Sequence, residues 1–358
     1  MMWNGAVSET EMIREVMSRL QGALPASWQF SVVEHEKHAA GPDSGRPDAS
    51  LELRSPEGGR TRLLLECKRR LEPNLVHAAI QQGKHFDALA SLLIAAPYLS
   101  PRTRQLLVAG GANYLDLTGN VRLRLERPAV FIQLAGADQN PTHETRPLAS
   151  LKGPAAARVV RAVCDYLPPY GIRKLAERAE ASQASTSRVA ELLCREALLH
   201  KDPRGRIAAV DWPKVLERWT EDYHVLKSHR SVTALEPRGL TAVPAKLRNL
   251  SLRYAVTGSL AAVRMAPAAP ARLAMVFVED ISAALAALAL HPTDAGQNVI
   301  LLQPSDGFVF ARAKNLDGVV CAAPSQVVAD LLTSPGRGPE EAQVLITWMK
   351  EREREWRH

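Results

Sequence analysis

The chain has 358 residues, 46% of them hydrophobic, which is enough for two or three domains with cores of their own. Lys and Arg outnumber Asp and Glu by 45 to 38, a formal charge of +7 that favours a polyanionic partner. The four cysteines, Cys67, Cys164, Cys194 and Cys321, stand too far apart for a disulfide scaffold or a thiolate metal site and fit a reducing cytoplasm; the acidic Glu9, Glu11 and Glu15 and the lack of a long apolar run argue against a secretory signal or a membrane span.

In chain order, Glu11 to Leu20 reads as an amphipathic helix with Ile13, Val16, Met17 and Leu20 on one face. Trp28 to Val33 reads as a strand. The run Glu34-His35-Glu36-Lys37-His38 follows, a charged loop or a source of one more metal ligand or base, with Glu34 and Glu15 the candidates. Its two histidines lack the helical spacing of a zinc pair. Pro47-Asp48-Ala49-Ser50-Leu51-Glu52-Leu53 and Leu63-Leu64-Leu65-Glu66-Cys67-Lys68 then form the two arms of a hairpin across Ser55-Pro56-Glu57-Gly58-Gly59. Side chains alternate along a strand, so Glu66 and Lys68 share a face that Cys67 avoids. With Asp48 at the start of the first arm, two carboxylates and an ammonium meet on an apolar sheet. Asp48 and Glu66 suit a divalent cation, Mg²⁺ or Mn²⁺, and Lys68 suits a phosphate. A helix follows, with Leu75, Ala79, Gln82 and Phe86 read as its stripe.

Pro-Asp, a gap, and acid-x-Lys resemble the signature of the PD-(D/E)xK nuclease superfamily, here Pro47-Asp48 and Glu66-Cys67-Lys68. Gln82-x-x-x-Phe86 resembles the Gln-x-x-x-Tyr element of RecB-like members, with Phe in place of Tyr. The resemblance implies a restriction-endonuclease-like domain over residues 1–140, with Asp48, Glu66, Lys68 and Gln82 as catalytic residues. The same residues also fit a solvated cross-strand pair without chemistry.

Further on, Leu92 to Ala96 reads as a buried strand, and Pro101 to Val108 as a helix capped by Ser100. Gly111 to Asn120 offers turns, and Asp116 either joins the acidic site or stabilises its own turn. The stretches Ala96-Pro97-Tyr98-Leu99-Ser100-Pro101-x-x-Arg104 and Asn113-Tyr114-Leu115-Asp116-Leu117-Thr118-Gly119-Asn120 resemble AbiEi-type antitoxins of type IV toxin–antitoxin systems, in a long form with a nuclease-like front end. That resemblance implies an operon-repressing regulator with a cognate toxin or defence protein as partner.

Gln139 to Pro147 reads as a linker. Residues 148–222 follow the order of a winged helix-turn-helix: helices over Ala155–Leu167 and Ile172–Glu180, then a recognition helix from Ser182, with Ser185, Val189, Leu192 and Leu193 inward. Gln183, Ala184, Ser187 and Arg188 are left for a major groove. The hairpin from Ala197 to Ile207 is the wing, whose Lys201, Arg204 and Arg206 suit phosphates. A closing helix starts at Asp211-Trp212-Pro213.

Residues 223–358 read as an α/β unit with strands at Tyr254–Thr257, Met275–Asp280 and Val299–Leu302. Gly258-Ser259 is similar to the opening of nucleotidyltransferase motifs, but Glu279 and Asp280 are adjacent and cannot form their paired Asp-x-Asp, so this unit reads as degenerate. Asp330 and Arg337 are an expected ion pair, and Lys350 to His358 a solvated tail. The expectation is a multidomain α/β and α+β protein that binds double-stranded DNA as a winged-helix regulator. The alternatives are a Mg²⁺-dependent endonuclease and a protein-interaction scaffold that neutralises a partner. A homodimer is also expected from the habit of winged helices.

Overall fold

A computed structural model describes residues 8–33, 47–87, 90–141, 150–266 and 270–358, with the backbone alone at Phe86. The Glu34–His38 run, with its candidate Glu34, lies outside the described residues. The chain is a mixed α/β protein with two large mixed sheets. It divides into two compact units, one dominated by Met1–Arg146 and one holding nearly all of Pro147–His358.

The first unit runs α1 (Glu9–Gly22), β1 (Gln29–Val33), β2 (Ala49–Arg54), β3 (Arg60–Cys67), α2 (Val76–Phe86), β4 (Ser91–Ala96), α3 (Pro101–Ala109), β5 (Asn113–Asp116), β6 (Val121–Leu125) and β7 (Val130–Leu134). Its seven strands lie side by side in chain order. β3, β4 and β5 are parallel, linked through α2 and α3, and the flanking strands pair antiparallel. The apolar run Leu63-Leu64-Leu65 shows why β3 is central. Leu63 and Leu65 pack with Met12, Val16 and Leu20 of α1 on one face, and Leu64 packs with Val76, Ile80 and Leu107 of α2 and α3 on the other. Each such fully buried leucine contributes about 2 kcal/mol of apolar burial. The turn between β2 and β3 uses Gly58 at φ +83°, a conformation that costs a glycine little.

Two helices sit differently from the sequence reading. α1 starts at Glu9 because Ser8 and Glu11 form a reciprocal capping box. α2 is preceded by a 3₁₀ turn over Pro73–Leu75, and its buried stripe is Val76, Ala79, Ile80 and Gly83. Leu75 is half exposed and Gln82 is exposed. A Cβ at Gly83 would lie 2.5 Å from a Leu92 methyl, so this residue sets how close the helix lies to β4.

The second unit opens with α4 (Pro154–Asp165), α5 (Ile172–Ala179), α6 (Gln183–Arg195), β8 (Leu199–Lys201), β9 (Ile207–Val210) and α7 (Trp212–Thr220). It continues with α8 (Val225–Ser228), β10 (Arg230–Leu235), α9 (Val243–Arg248), β11 (Tyr254–Thr257), α10 (Gly258–Met265), β12 (Ala274–Val278), α11 (Ile281–Ala287), β13 (His291–Pro292) and β14 (Val299–Gln303). Last come β15 (Lys314–Leu316), β16 (Val319–Cys321), α12 (Pro324–Leu332), α13 (Gly338–Glu351) and α14 (Glu353–Trp356). The sheet order is β13-β10-β14-β12-β11-β16-β15.

The expected boundary at 222/223 falls inside one hydrophobic core, shared by Val159, Val163, Leu193 and Trp219 with Val256, Phe277 and Leu301. Arg161 of α4, 2% exposed, locks the two parts together. It donates to Ser325 Oγ, Gln326 Oε1, Asp165 Oδ2 and the carbonyls of Phe308 and Ala311, all at 2.8–3.2 Å. Most charged residues of the expected solvated tail, Lys350 to Glu355, are exposed, but the last turn is tied down. Trp356 and Arg357 are each 3% exposed, and Arg357 donates to the carbonyls of Val163 and Tyr166.

Candidate functional site

On the first unit, antiparallel pairing of Ala49 with Leu65 brings Asp48 beside Glu66 at the end of the hairpin. Asp48 Oδ2 accepts the Cys67 N–H at 2.6 Å, which fixes the carboxylate against β3. Glu66 is 2% exposed, and its Oε2 accepts from Lys68 Nζ at 2.8 Å. Its other oxygen, Oε1, is buried with no hydrogen-bond partner. Burial raises the Glu66 pKa above its ordinary value. The Lys68 ammonium opposes the rise, while the negative charges of Asp48 and Glu9 add to it. Cys67, on the opposite face, has its thiol pushed up to about 12, chiefly by burial and then by Asp48, and is a poor nucleophile.

The structure therefore brings Asp48, Glu66 and Lys68 together and adds Glu9 to their electrostatic surroundings. Glu9 is the acid the sequence reading missed. The signal was Ser8-x-x-Glu11, which starts the helix at Glu9. Glu15 instead pairs with Arg19 at 2.7 Å, and Gln82 makes no hydrogen bond to the trio. As a test of metal fit, two carboxylates and an unsatisfied buried oxygen match the way Mg²⁺ is held, by one or two acids with water completing its shell. Among the described residues, no set of three or more His, Cys, Asp or Glu side chains is placed to hold an ion.

Asp116 has a different job. It is fully buried, and its two oxygens accept from the N–H groups of Leu99, Thr118 and Asn120 and from the side chains of Thr118 and Asn120, at 2.7–3.1 Å. Asn120 in turn accepts from Arg104 at 2.5 Å and from Gly136 N at 2.9 Å. Gly136 is required there, because a Cβ would lie 2.3 Å from the Thr118 carbonyl. The stretches around Tyr98–Arg104 and Asn113–Asn120 thus join in one network, built to hold loops in place.

On the second unit, α5 and α6 are joined by a tight turn in which Glu180 adopts φ +47°. Ser182 Oγ caps α6 by accepting the Ser185 N–H at 3.1 Å. The inward residues of α6 are Thr186, Val189, Ala190, Leu192 and Leu193. Thr186 takes the place expected for Ser185, which is half-buried and bonded to Ser182. Gln183, Ala184 and Arg188 are exposed, and Ser187 is half-buried with its hydroxyl on Glu191 at 3.1 Å.

The β8–β9 hairpin is held at its turn end by mutual backbone hydrogen bonds between Tyr170 and Ile207, at 2.9 and 3.1 Å. Lys201, Arg204 and Arg206 at its tip are exposed. Asp202 organises that tip by accepting from the Arg204 and Arg206 N–H groups at 2.9 Å and from the Arg206 guanidinium at 2.8 Å. Arg188, Lys201 and Arg204 have no ion-pair partner among the described residues.

The expected Asp330–Arg337 pair does not form. Asp330 is fully buried and accepts from Thr257 at 2.5 Å, Tyr223 at 2.6 Å and Gln326 at 2.8 Å, while Arg337 approaches Glu341 at 3.9 Å. Glu279 faces Arg253 at 3.7 Å and Asp280 caps α11, so neither is poised for a metal. Among the described residues, no helix is long and apolar enough to cross a membrane. Comparison with family models, with curated proteins and with solved structures gives no match.

Proposed function

We propose that the protein is a DNA-binding regulator in which α4–α7 form a winged helix-turn-helix. The observation that carries this reading is the combination of a rigidly packed α6 with an exposed N-terminal face and an exposed, acid-organised basic hairpin beside it in sequence. In this reading Gln183, Ser187 and Arg188 meet base edges in a major groove, and Lys201, Arg204 and Arg206 grip phosphates. Arg188, Lys201 and Arg204 suit that task because they have no ion-pair partner among the described residues, while Arg206 is held by Asp202. The resemblance to AbiEi-type antitoxins supports a toxin–antitoxin or defence operon as the regulator's setting, with a toxin-like protein as partner and a dimer as the bound form. The test is a mobility shift on the duplex upstream of the protein's own gene. Wild type should form a discrete complex, and Arg188→Ala should weaken it by roughly ten-fold or more. Equal retardation of any duplex, unaffected by Arg188→Ala, would refute sequence-specific regulation.

A second reading is favoured by one observation, the unsatisfied Oε1 of buried Glu66 beside the half-exposed Lys68. In it the first unit is a PD-(D/E)xK-like nuclease domain. Asp48 and Glu66 would hold Mg²⁺ or Mn²⁺, which supplies an activated water and charge stabilisation, and Lys68 would steady a scissile phosphate. Supercoiled DNA incubated with Mn²⁺ should be nicked by wild type and spared by Asp48→Ala and Lys68→Ala. Equal nicking by all three would mean a contaminant.

A further inference from the structure

The outer strands of the first sheet present a feature that neither reading uses. β6 and β7 place Arg124 directly opposite Phe131, and Arg122 opposite Gln133. The other partner of Arg122 is Tyr114, which is buried under α2 and α3, so all five residues lie on that same face of the sheet. Under the helices the face is packed; at its margin Phe131 is 64% exposed and Arg124 is exposed. The Arg122 guanidinium stands 5.6 Å from the centre of the Phe131 ring. Arg122, Arg124, Leu125, Ala129, Val130 and Phe131 line an open groove of about 560 Å³ whose walls hold two arginines and no acid.

An aromatic ring left in water forfeits apolar burial, and here it is flanked by two cations on a rigid pair of strands. A flat apolar surface bordered by guanidinium groups fits an unpaired base and its two phosphates, since any base offers a face to stack and every linkage an anion to pair. A duplex, with its bases stacked inside, offers the ring nothing. The groove's charge also disfavours a cationic peptide.

We propose that the β6–β7 face is a stacking platform for single-stranded nucleic acid, with a base on Phe131 and neighbouring phosphates on Arg122 and Arg124. Register adds a consequence. Glu66, Ile94, Tyr114 and Arg122 form one row across β3, β4, β5 and β6, so the platform begins three strand spacings, about 14 Å, from Glu66. A short strand can span that distance. The inference rests on the protein being directed to nucleic acid, but on residues that take no part in the duplex contacts proposed above.

The experiment is fluorescence anisotropy with a labelled oligothymidylate of roughly 15 nucleotides, run beside the upstream duplex. Wild type should bind the oligonucleotide. Phe131→Ala should weaken it by roughly ten-fold or more, and Phe131→Trp should keep or improve it. The double variant Arg122→Ala/Arg124→Ala should lower the slope of log affinity against log salt by about 1.4, the share of two phosphates on a single strand. Each variant should keep the wild-type melting temperature, which excludes misfolding. Absence of oligonucleotide binding by wild type, or equal binding by all variants, overturns the proposal. So would a Phe131-dependent dimer in light scattering without single-strand affinity, which would make β7 an edge for a second copy. Failure of duplex binding alone would sink the regulator reading and leave the platform standing.

Discussion

Arg161 and Arg188 lie on α4 and α6, two helices of the same three-helix segment, and their surroundings could hardly differ more. Arg161 is buried and spends its donors on five acceptors within the second unit. Arg188 is exposed and has no partner among the described residues. The first is structural by saturation; the second is available. The same contrast separates the carboxylates. Asp116 and Asp330 have both oxygens filled by donors, whereas buried Glu66 keeps one oxygen empty beside a lysine. A charged residue in this protein is therefore better judged by what it leaves unsatisfied than by its place in a motif.

The contrast should break first at Arg161. Arg161→Met removes the cation and strands Asp165 and Gln326 in the core, so the second unit should lose about 3–5 kcal/mol in urea denaturation. Arg188→Ala should leave stability within about 0.5 kcal/mol of wild type. A mild Arg161→Met would mean that water reaches the network.

The buried cluster around Asp330 sharpens the point through pH. Burial raises Asp330 to about 6, despite the hydroxyls of Thr257 and Tyr223 that favour its charged form. Burial lowers His229, bonded to Tyr223 at 3.0 Å, to about 4. The two act in opposite directions. Asp330, with a raised folded pKa, adds stability that is full below its unfolded pKa and disappears as pH climbs through 6. His229, with a lowered one, adds stability that is full above its unfolded pKa and disappears as pH falls through 4. Each contributes up to about 3 kcal/mol, so they largely cancel between pH 4 and 6.5. Asp330→Asn should expose the histidine alone, and its stability relative to wild type should fall on acidification across that window. His229→Gln should show the reverse slope. Two variant curves parallel to wild type would show that neither group titrates on unfolding.

The smallest effect separates Asp116 from Glu66. Asp116→Asn turns a donor toward donors in a sealed network and should cost the first unit about 2 kcal/mol. Glu66→Gln keeps the shape and the lysine contact while removing a buried charge, so it should cost under about 1 kcal/mol or stabilise. Thermal unfolding of the two variants decides the matter, and equal losses would make Glu66 a structural residue like Asp116.

Much of this was legible in the sequence. The β2–β3 hairpin showed through its Pro and Gly turn, and the order of α4 to α7 showed through the inward apolar residues of the helices and the basic hairpin from Ala197 to Ile207. Where local signals were misread, the physical cause is identifiable. The Ser8 cap moved the start of α1 and with it Glu9, and the turn at Pro73–Leu75 rotated the α2 stripe away from Leu75 and Gln82. Contacts distant in sequence left no periodic trace at all. Arg161 meets Gln326 across 165 positions, and Trp356 and Arg357 are buried beneath a tail whose charges advertise solvent.

The central claim is that α6 and its basic hairpin engage duplex DNA, and salt dependence of duplex affinity addresses it most directly. Wild type should show a steep log–log fall with salt, and Lys201→Ala/Arg204→Ala/Arg206→Ala should flatten it by about 2.7, near 0.9 for each phosphate no longer neutralised. Superimposable slopes for wild type and the triple variant would contradict the account.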